Sequence, residues 1–126
     1  MRAIAKVVGV LFIVGTLYAF VETGFGMDTT ILLGLFPVNA LVNIAHLGLG
    51  VWGYAASRAD TPAGRFCRWG GVVFIALGMI GFALDSPFGL LPIGGADRFL
   101  HAGVGVVLLV TGLIDAARPR AYHRSR

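Results

Sequence analysis

Apolar residues in this chain gather into four uninterrupted blocks, with the ionisable residues at their ends. Val7–Val21, Ile31–Ser57, Gly70–Leu84 and Ala102–Ile114 contain no Asp, Glu, Lys or Arg. Extended to its flanking polar residues, each block approaches the roughly 20 residues that a helix needs to cross about 30 Å of hydrocarbon. The expected spans are residues 4–23, 38–57, 69–86 and 97–116. None shows the alternation of a membrane strand, so all four are expected to be helices.

The blocks also repeat. Gly34-Leu35-Phe36-Pro37 precedes His46-Leu47-Gly48-Leu49-Gly50-Val51, and Gly89-Leu90-Leu91-Pro92 precedes His101-Ala102-Gly103-Val104-Gly105-Val106. In both copies the proline stands nine positions before the histidine. Gly9-Val10-Leu11-Phe12-Ile13 likewise matches Gly71-Val72-Val73-Phe74-Ile75. A one-residue slip then aligns Gly15, Tyr18 and Glu22 with Gly78, Gly81 and Asp85. The pattern predicts an all-α fold: a polytopic four-helix transmembrane bundle made of two tandem helical-hairpin repeats, at about 4–57 and 69–116, within a single domain over 1–126. Two hairpins of equal orientation are expected to be related by a pseudo-two-fold axis along the membrane normal.

Helical spacing places Asn39, Asn43, His46, Gly50 and Gly53 on one face of span two, and Asp97, His101, Gly105, Leu108, Gly112 and Asp115 on one face of span four. These faces are expected to meet inside the bundle, with Asn39, Asn43 and Asp97 as its structural polar face. Glycine supports close helix approach, because lipid provides little hydrophobic drive between helices. Gly48 and Gly103 point the other way, toward a second helix contact or an oligomer contact. Pro37 and Pro92 are expected to punctuate the outer loops. Asp97 is expected to cap the fourth helix. Arg58–Arg65 has turn composition and is expected to be a connector.

Composition and charge fix the class. At 57% hydrophobic and 13% charged residues, with a mean hydropathy of +0.86, the chain is too apolar for a soluble domain. Of its ten Lys and Arg residues, all but Arg98 fall before span one, between spans two and three, or after span four. The positive-inside rule therefore predicts both termini in the cytoplasm, with Glu22, Asp28, Asp85 and Asp97 on the outer side. A pI near 10 then reports topology and contact with anionic lipid rather than nucleic acid, since the basic tail lacks a stacking platform. No small-x-small cleavage pattern follows Val21, so span one is expected to be retained. Cys67, the single cysteine, is expected as a reduced thiol in the cytoplasmic loop. Trp52, Trp69, Tyr54 and Tyr122 are expected as interfacial anchors.

The chemistry centres on His46 and His101, because an imidazole within lipid needs a hydrogen-bond partner or a metal. Three readings are open. The rings fasten the hairpins, with Asn43 as partner of His46 and Asp97 as partner of His101. Alternatively they bind a cofactor: a haem held from both faces, or a divalent metal held together with Glu22 and Asp85. The third reading is a pathway for protons or small solutes. No Gly-x-Ser-x-Gly, phosphate loop or His-Glu-x-x-His is present, so enzymatic activity is not expected.

Asn43-x-x-His46-Leu47 and Ala96-Asp97-x-x-Leu100-His101, together with the Gly-Leu-x-Pro loops, resemble the family of small bacterial four-helix membrane proteins known as domain of unknown function 4383. The resemblance covers roughly residues 4–116. It implies a multi-pass bacterial inner-membrane protein and supplies no activity. The expected role is a structural or accessory membrane component surrounded by the lipid bilayer, with a second copy or another membrane protein as candidate partner.

Overall fold

The computed structural model describes residues 1–118, so Arg120, Tyr122, Arg124 and Arg126 lie outside the described residues. Four helices account for most of it: α1 (Arg2–Thr23), α2 (Ala40–Ala56), α3 (Asp60–Ala83) and α4 (Asp97–Ala116). The helices α1, α3 and α4 are long and apolar enough to cross a membrane, and α2, at 17 residues, is equally apolar but shorter. Their outward faces carry large apolar side chains, with Leu11 and Trp69 each 64% exposed and Val21 82% exposed. Apolar surface this continuous suits contact with lipid rather than water.

Sequence explains where the helices start. Asn39, extended at φ −146° and ψ 178°, caps α2, and its Oδ1 accepts from the Val42 N–H at 2.9 Å. Its Nδ2 donates to the Leu90 carbonyl at 2.9 Å, tying the outer end of one hairpin to the loop of the other. α4 begins differently from expectation. Ala96 is its N-cap residue and Asp97 lies in the first turn, making no side-chain cap, because its carboxylate turns toward His101. α3 also starts early, at Asp60, so the connector is only residues 57–59. Pro62 does not stop it, since the first turn needs no N–H from that position. Cys67 is therefore a fully buried helical residue rather than a loop thiol.

The α1–α2 and α3–α4 loops carry the remaining structure. β1 (Thr30–Leu32) and β2 (Phe36–Val38) pair antiparallel, with Ile31 opposite Pro37. Leu33 and Gly34 both have positive φ, 54° and 69°, and the Leu35 N–H bonds the Leu32 carbonyl at 3.0 Å, as in the type I′ turns that suit two-stranded ribbons. Pro37 thus sits in a short strand rather than in an open loop. Pro87–Gly89 forms a single 3₁₀ turn before α4.

α1 packs along α2 and α3 along α4, and the two hairpins then meet mainly through α2 with α3 and α1 with α3. A Cβ added at Gly50 would stand 2.9 Å from the Ile13 nitrogen and 3.0 Å from the Gly9 oxygen. At Gly105 it would stand 2.6 Å from the Ile75 nitrogen and 3.0 Å from the Gly71 oxygen. Each hairpin therefore closes on the same glycine contact, as expected where helices associate by backbone approach. The slip expected further along is absent. Thr16 and Ala19 are the buried residues of α1 that stand where Gly78 and Gly81 stand in α3, while Gly15 faces open space. A core of Phe66, Phe74, Leu108 and Cys67, with Ala5, Ala56 and Ala63, joins the hairpins.

Candidate functional site

The α2–Asn39 cap and the early first turn of α4 bring His46 and His101 to the same level of the bundle. Their Nε2 atoms lie 3.4 Å apart, with ring centroids separated by 5.5 Å. His101 is 1% exposed and His46 is partly buried. Phe12 packs edge-on against His46 at 5.1 Å, Phe74 lies 5.4 Å from His101, and the two phenyl rings lie 5.1 Å from each other. Four rings, two from each hairpin, close the cluster.

The partners of His101 fix its tautomer. Its Nδ1 lies 2.9 Å from the Asp97 carbonyl oxygen one turn earlier and 3.1 Å from Asp97 Oδ2. Both are acceptors, so Nδ1 carries a proton and donates. A neutral His101 therefore presents the lone pair of Nε2 to His46, whose own Nε2–H donates across the hairpins. The separation of 3.4 Å is long for this bond. Because the backbone carbonyl already holds the ring, the Asp97 carboxylate is not fully used. Its Oδ2 has only the 3.1 Å approach of His101 Nδ1, whose proton the Asp97 carbonyl takes, and Nδ2 of Asn43 has no partner among the described residues; both atoms are buried.

The other expected site residues lie elsewhere. Asn43 is buried beside the site but does not bond His46. Asn39 is an N-cap and loop tie. Glu22 is exposed at the end of α1. Asp85 has an 86% exposed side chain 4.0 Å from Arg98, and its carbonyl accepts from Ile93 and Gly94. Neither acid belongs to the histidine group: Glu22 is exposed in the last turn of α1, and Asp85 lies past the end of α3, in the loop before α4. Asp97 takes the place expected for them. Phe12 and Phe74 were legible in the sequence as the pair one residue before Ile13 and Ile75, yet their spacing alone gave no reason to place them against the rings.

The donor set admits a metal but not a haem. One ligand atom each from His46, His101 and Asp97 lies within 4.8 Å of the others. Two nitrogens at about 2.0–2.1 Å from a tetrahedral ion stand about 3.3–3.4 Å apart, the separation seen here. Asp97 Oδ2, 3.1 Å from His101 Nδ1, completes the group with an oxygen of suitable hardness, which would have to turn toward the ion to ligate it. A macrocycle would need a flat slot between and beside the imidazoles, and Phe12 and Phe74 fill it.

The family model described as Domain of unknown function (DUF4383) matches residues 2–114. No curated protein and no solved structure matches the chain.

Proposed function

We propose, from the premise that the chain belongs to the DUF4383 family, that it is a four-pass inner-membrane protein with a structural or accessory role. Its two tandem hairpins are fastened by His46 and His101, each in the second turn of its helix, and both termini are cytoplasmic. The observation that carries this reading is the approach of the two Nε2 atoms, 3.4 Å apart, across the hairpin boundary. A hydrogen bond there gives each ring a partner that lipid cannot supply, and it joins helices whose hairpins are otherwise tied by polar bonds in the loops, Asn39 Nδ2 to the Leu90 carbonyl and the Ala96 N–H to the Leu35 carbonyl.

Supporting the four passes, α2 spans about 26 Å at 1.5 Å per residue, close to the hydrocarbon thickness, and it packs along α1 throughout. The paired contacts of Gly50 with Ile13 and Gly105 with Ile75 support the tandem repeat. The cytoplasmic placement is supported by the cations around the α2–α3 connector. Gly48 and Gly103, with open space over both, leave a face for a second copy or another membrane protein. The test is thermal unfolding of the detergent-purified protein with both histidines changed to Phe. A fastening role predicts a lower midpoint, and an unchanged midpoint would remove this reading.

A second reading has its own observation, the three ligand atoms within 4.8 Å. There His46, His101 and Asp97 hold a divalent ion such as zinc. Elemental analysis decides it: one metal per chain, lost in the double Phe variant, supports a metal centre. A solute pathway finds less support, because Phe66, Phe74 and Leu108 are fully buried and fill the bundle between the rings and the α2–α3 connector.

A further inference from the structure

A cavity of about 360 Å³ opens beside the ring pair, between α1, the β1–β2 hairpin and α4. Its walls are mostly apolar, including Leu11, Phe36 and Leu100, and its polar lining residues are Thr16, Tyr18, Asn43, His46 and Asp97. Asn43 Nδ2 is buried without a partner among the described residues, Asp97 Oδ2 has only the 3.1 Å approach of His101 Nδ1, whose proton the Asp97 carbonyl takes, and both residues line this cavity. Asn43 is 1% exposed and Asp97 2% exposed, so bulk water does not serve either. The terminal torsions of Asn and Asp are broad, so a small rotation presents both groups to the cavity.

We propose that this cavity binds a neutral, hydroxyl-bearing lipophile drawn from the bilayer, with its hydroxyl between Asn43 and Asp97 and its apolar body against α1 and the β-hairpin. The two atoms have opposite needs, because Nδ2 requires an acceptor and Oδ2 a donor. A hydroxyl is the smallest group that is both. A ketone or ether would serve Asn43 alone. An ammonium group would serve Asp97 and set donor against donor at Asn43. A carboxylate would stand beside the Asp97 carboxylate and be repelled. A mostly apolar pocket with a few convergent polar groups is the usual form of a small-molecule site, and the volume lies near the lower end of the usual range of about 300–1,000 Å³. One ring with a short chain fits that size. Asp97 and His46 belong both to this site and to the metal reading, so any ion is removed before binding is measured.

The experiment uses the full chain in detergent micelles with a chelator present. Isothermal titration compares 4-hexylphenol with hexylbenzene and with 4-hexylanisole, which has an acceptor but no donor. The phenol is expected to saturate at one per chain and to bind at least ten-fold more tightly than either analogue. Asn43→Leu is expected to reduce the phenol to the level of the analogues. Gly15→Leu is expected to abolish saturable binding of all three, since Gly15 lines the cavity and an added Cβ there meets nothing within 4 Å. Equal affinities for the three probes, no saturation by the phenol, or an undiminished preference in Asn43→Leu would overturn the proposal. Gly15→Leu keeps the test decisive even where Asn43→Leu fails to fold, because retained binding in that variant overturns the site as well.

Discussion

Gly105 packs against Ile75 so closely that a Cβ on the glycine would stand 2.6 Å from the Ile75 nitrogen and 2.8 Å from its Cγ1. The Ile75 nitrogen and the Gly71 oxygen, 3.0 Å away, are backbone, so only the Ile75 side chain can yield. Gly105→Ala is therefore expected to separate α3 from α4 and destabilise the protein by about 1–3 kcal/mol, the usual range for overpacking. Gly103→Ala is the control. Nothing lies within 4 Å of its Cβ position, so the better helix propensity of alanine makes it neutral or stabilising by up to about 1 kcal/mol. Unfolding midpoints in one detergent, measured side by side, check the pair.

The histidines are not interchangeable. His46→Phe removes one ring bond, a loss of about 0.5–1.5 kcal/mol. His101→Phe also strands the Asp97 carboxylate, 3.1 Å from the lost Nδ1, in a buried site. Leaving a buried polar group without its neighbour costs about 1–3 kcal/mol, and more for a charged one. Adding Asp97→Asn to His101→Phe is expected to restore part of that loss. A double-mutant cycle measures the coupling, expected between about 0.5 and 3 kcal/mol. Equal losses for both histidines would mean that Asp97 does not depend on His101.

Asp97→Asn alone tests which oxygen orients the ring. The Asp97 carbonyl, 2.9 Å from Nδ1, survives the substitution. Nitrogen-15 NMR of labelled histidine is therefore expected to show His101 protonated at Nδ1 in both proteins. A switch to the Nε2 tautomer in the variant would assign the orienting role to the carboxylate instead.

Asn39 combines two jobs that substitution separates. Its Oδ1 caps α2 through Val42, and its Nδ2 donates to Leu90. Asn39→Asp keeps the cap and loses the donor, whereas Asn39→Ala loses both. Removing the cap costs about 0.5–2 kcal/mol. The ordering expected by thermal unfolding is wild type, then Asp, then Ala. Amide exchange in the loop around Leu90 is expected to rise equally in both variants.

The helices and the ring pair were legible in the sequence because both are periodic. Charge-free blocks mark α1, α3 and α4, and the 55-residue spacing of His46 and His101 anticipates their meeting. The boundaries were less legible, since the Arg58–Arg65 segment has turn composition yet becomes helical from Asp60 once its apolar residues pack. Glu22 and Asp85 looked like ligands because they share the outer level with the polar faces. Helix ends, however, direct side chains by the loop that follows, which composition does not reveal. Asp97 has the residue type of a cap on the same local grounds. Another local contact, with the His101 ring one turn later on the same helix, outweighs the cap.

Orientation gives the last prediction. Cys67 is fully buried, so the native thiol stays silent toward a membrane-impermeant maleimide and need not be removed. Cysteines introduced singly at Ala59, in the α2–α3 connector, and at Ser86, after α3, occupy exposed positions at opposite ends of that helix. With the cations of the connector held inside by the positive-inside rule, intact cells are expected to label Ser86→Cys and to leave Ala59→Cys unlabelled until they are lysed. The reverse pattern would invert the whole bundle and place the His46–His101 pair under the opposite leaflet's loops. Labelling of both from outside would instead mean that α3 does not cross, since a single spanning helix separates its two ends by the bilayer.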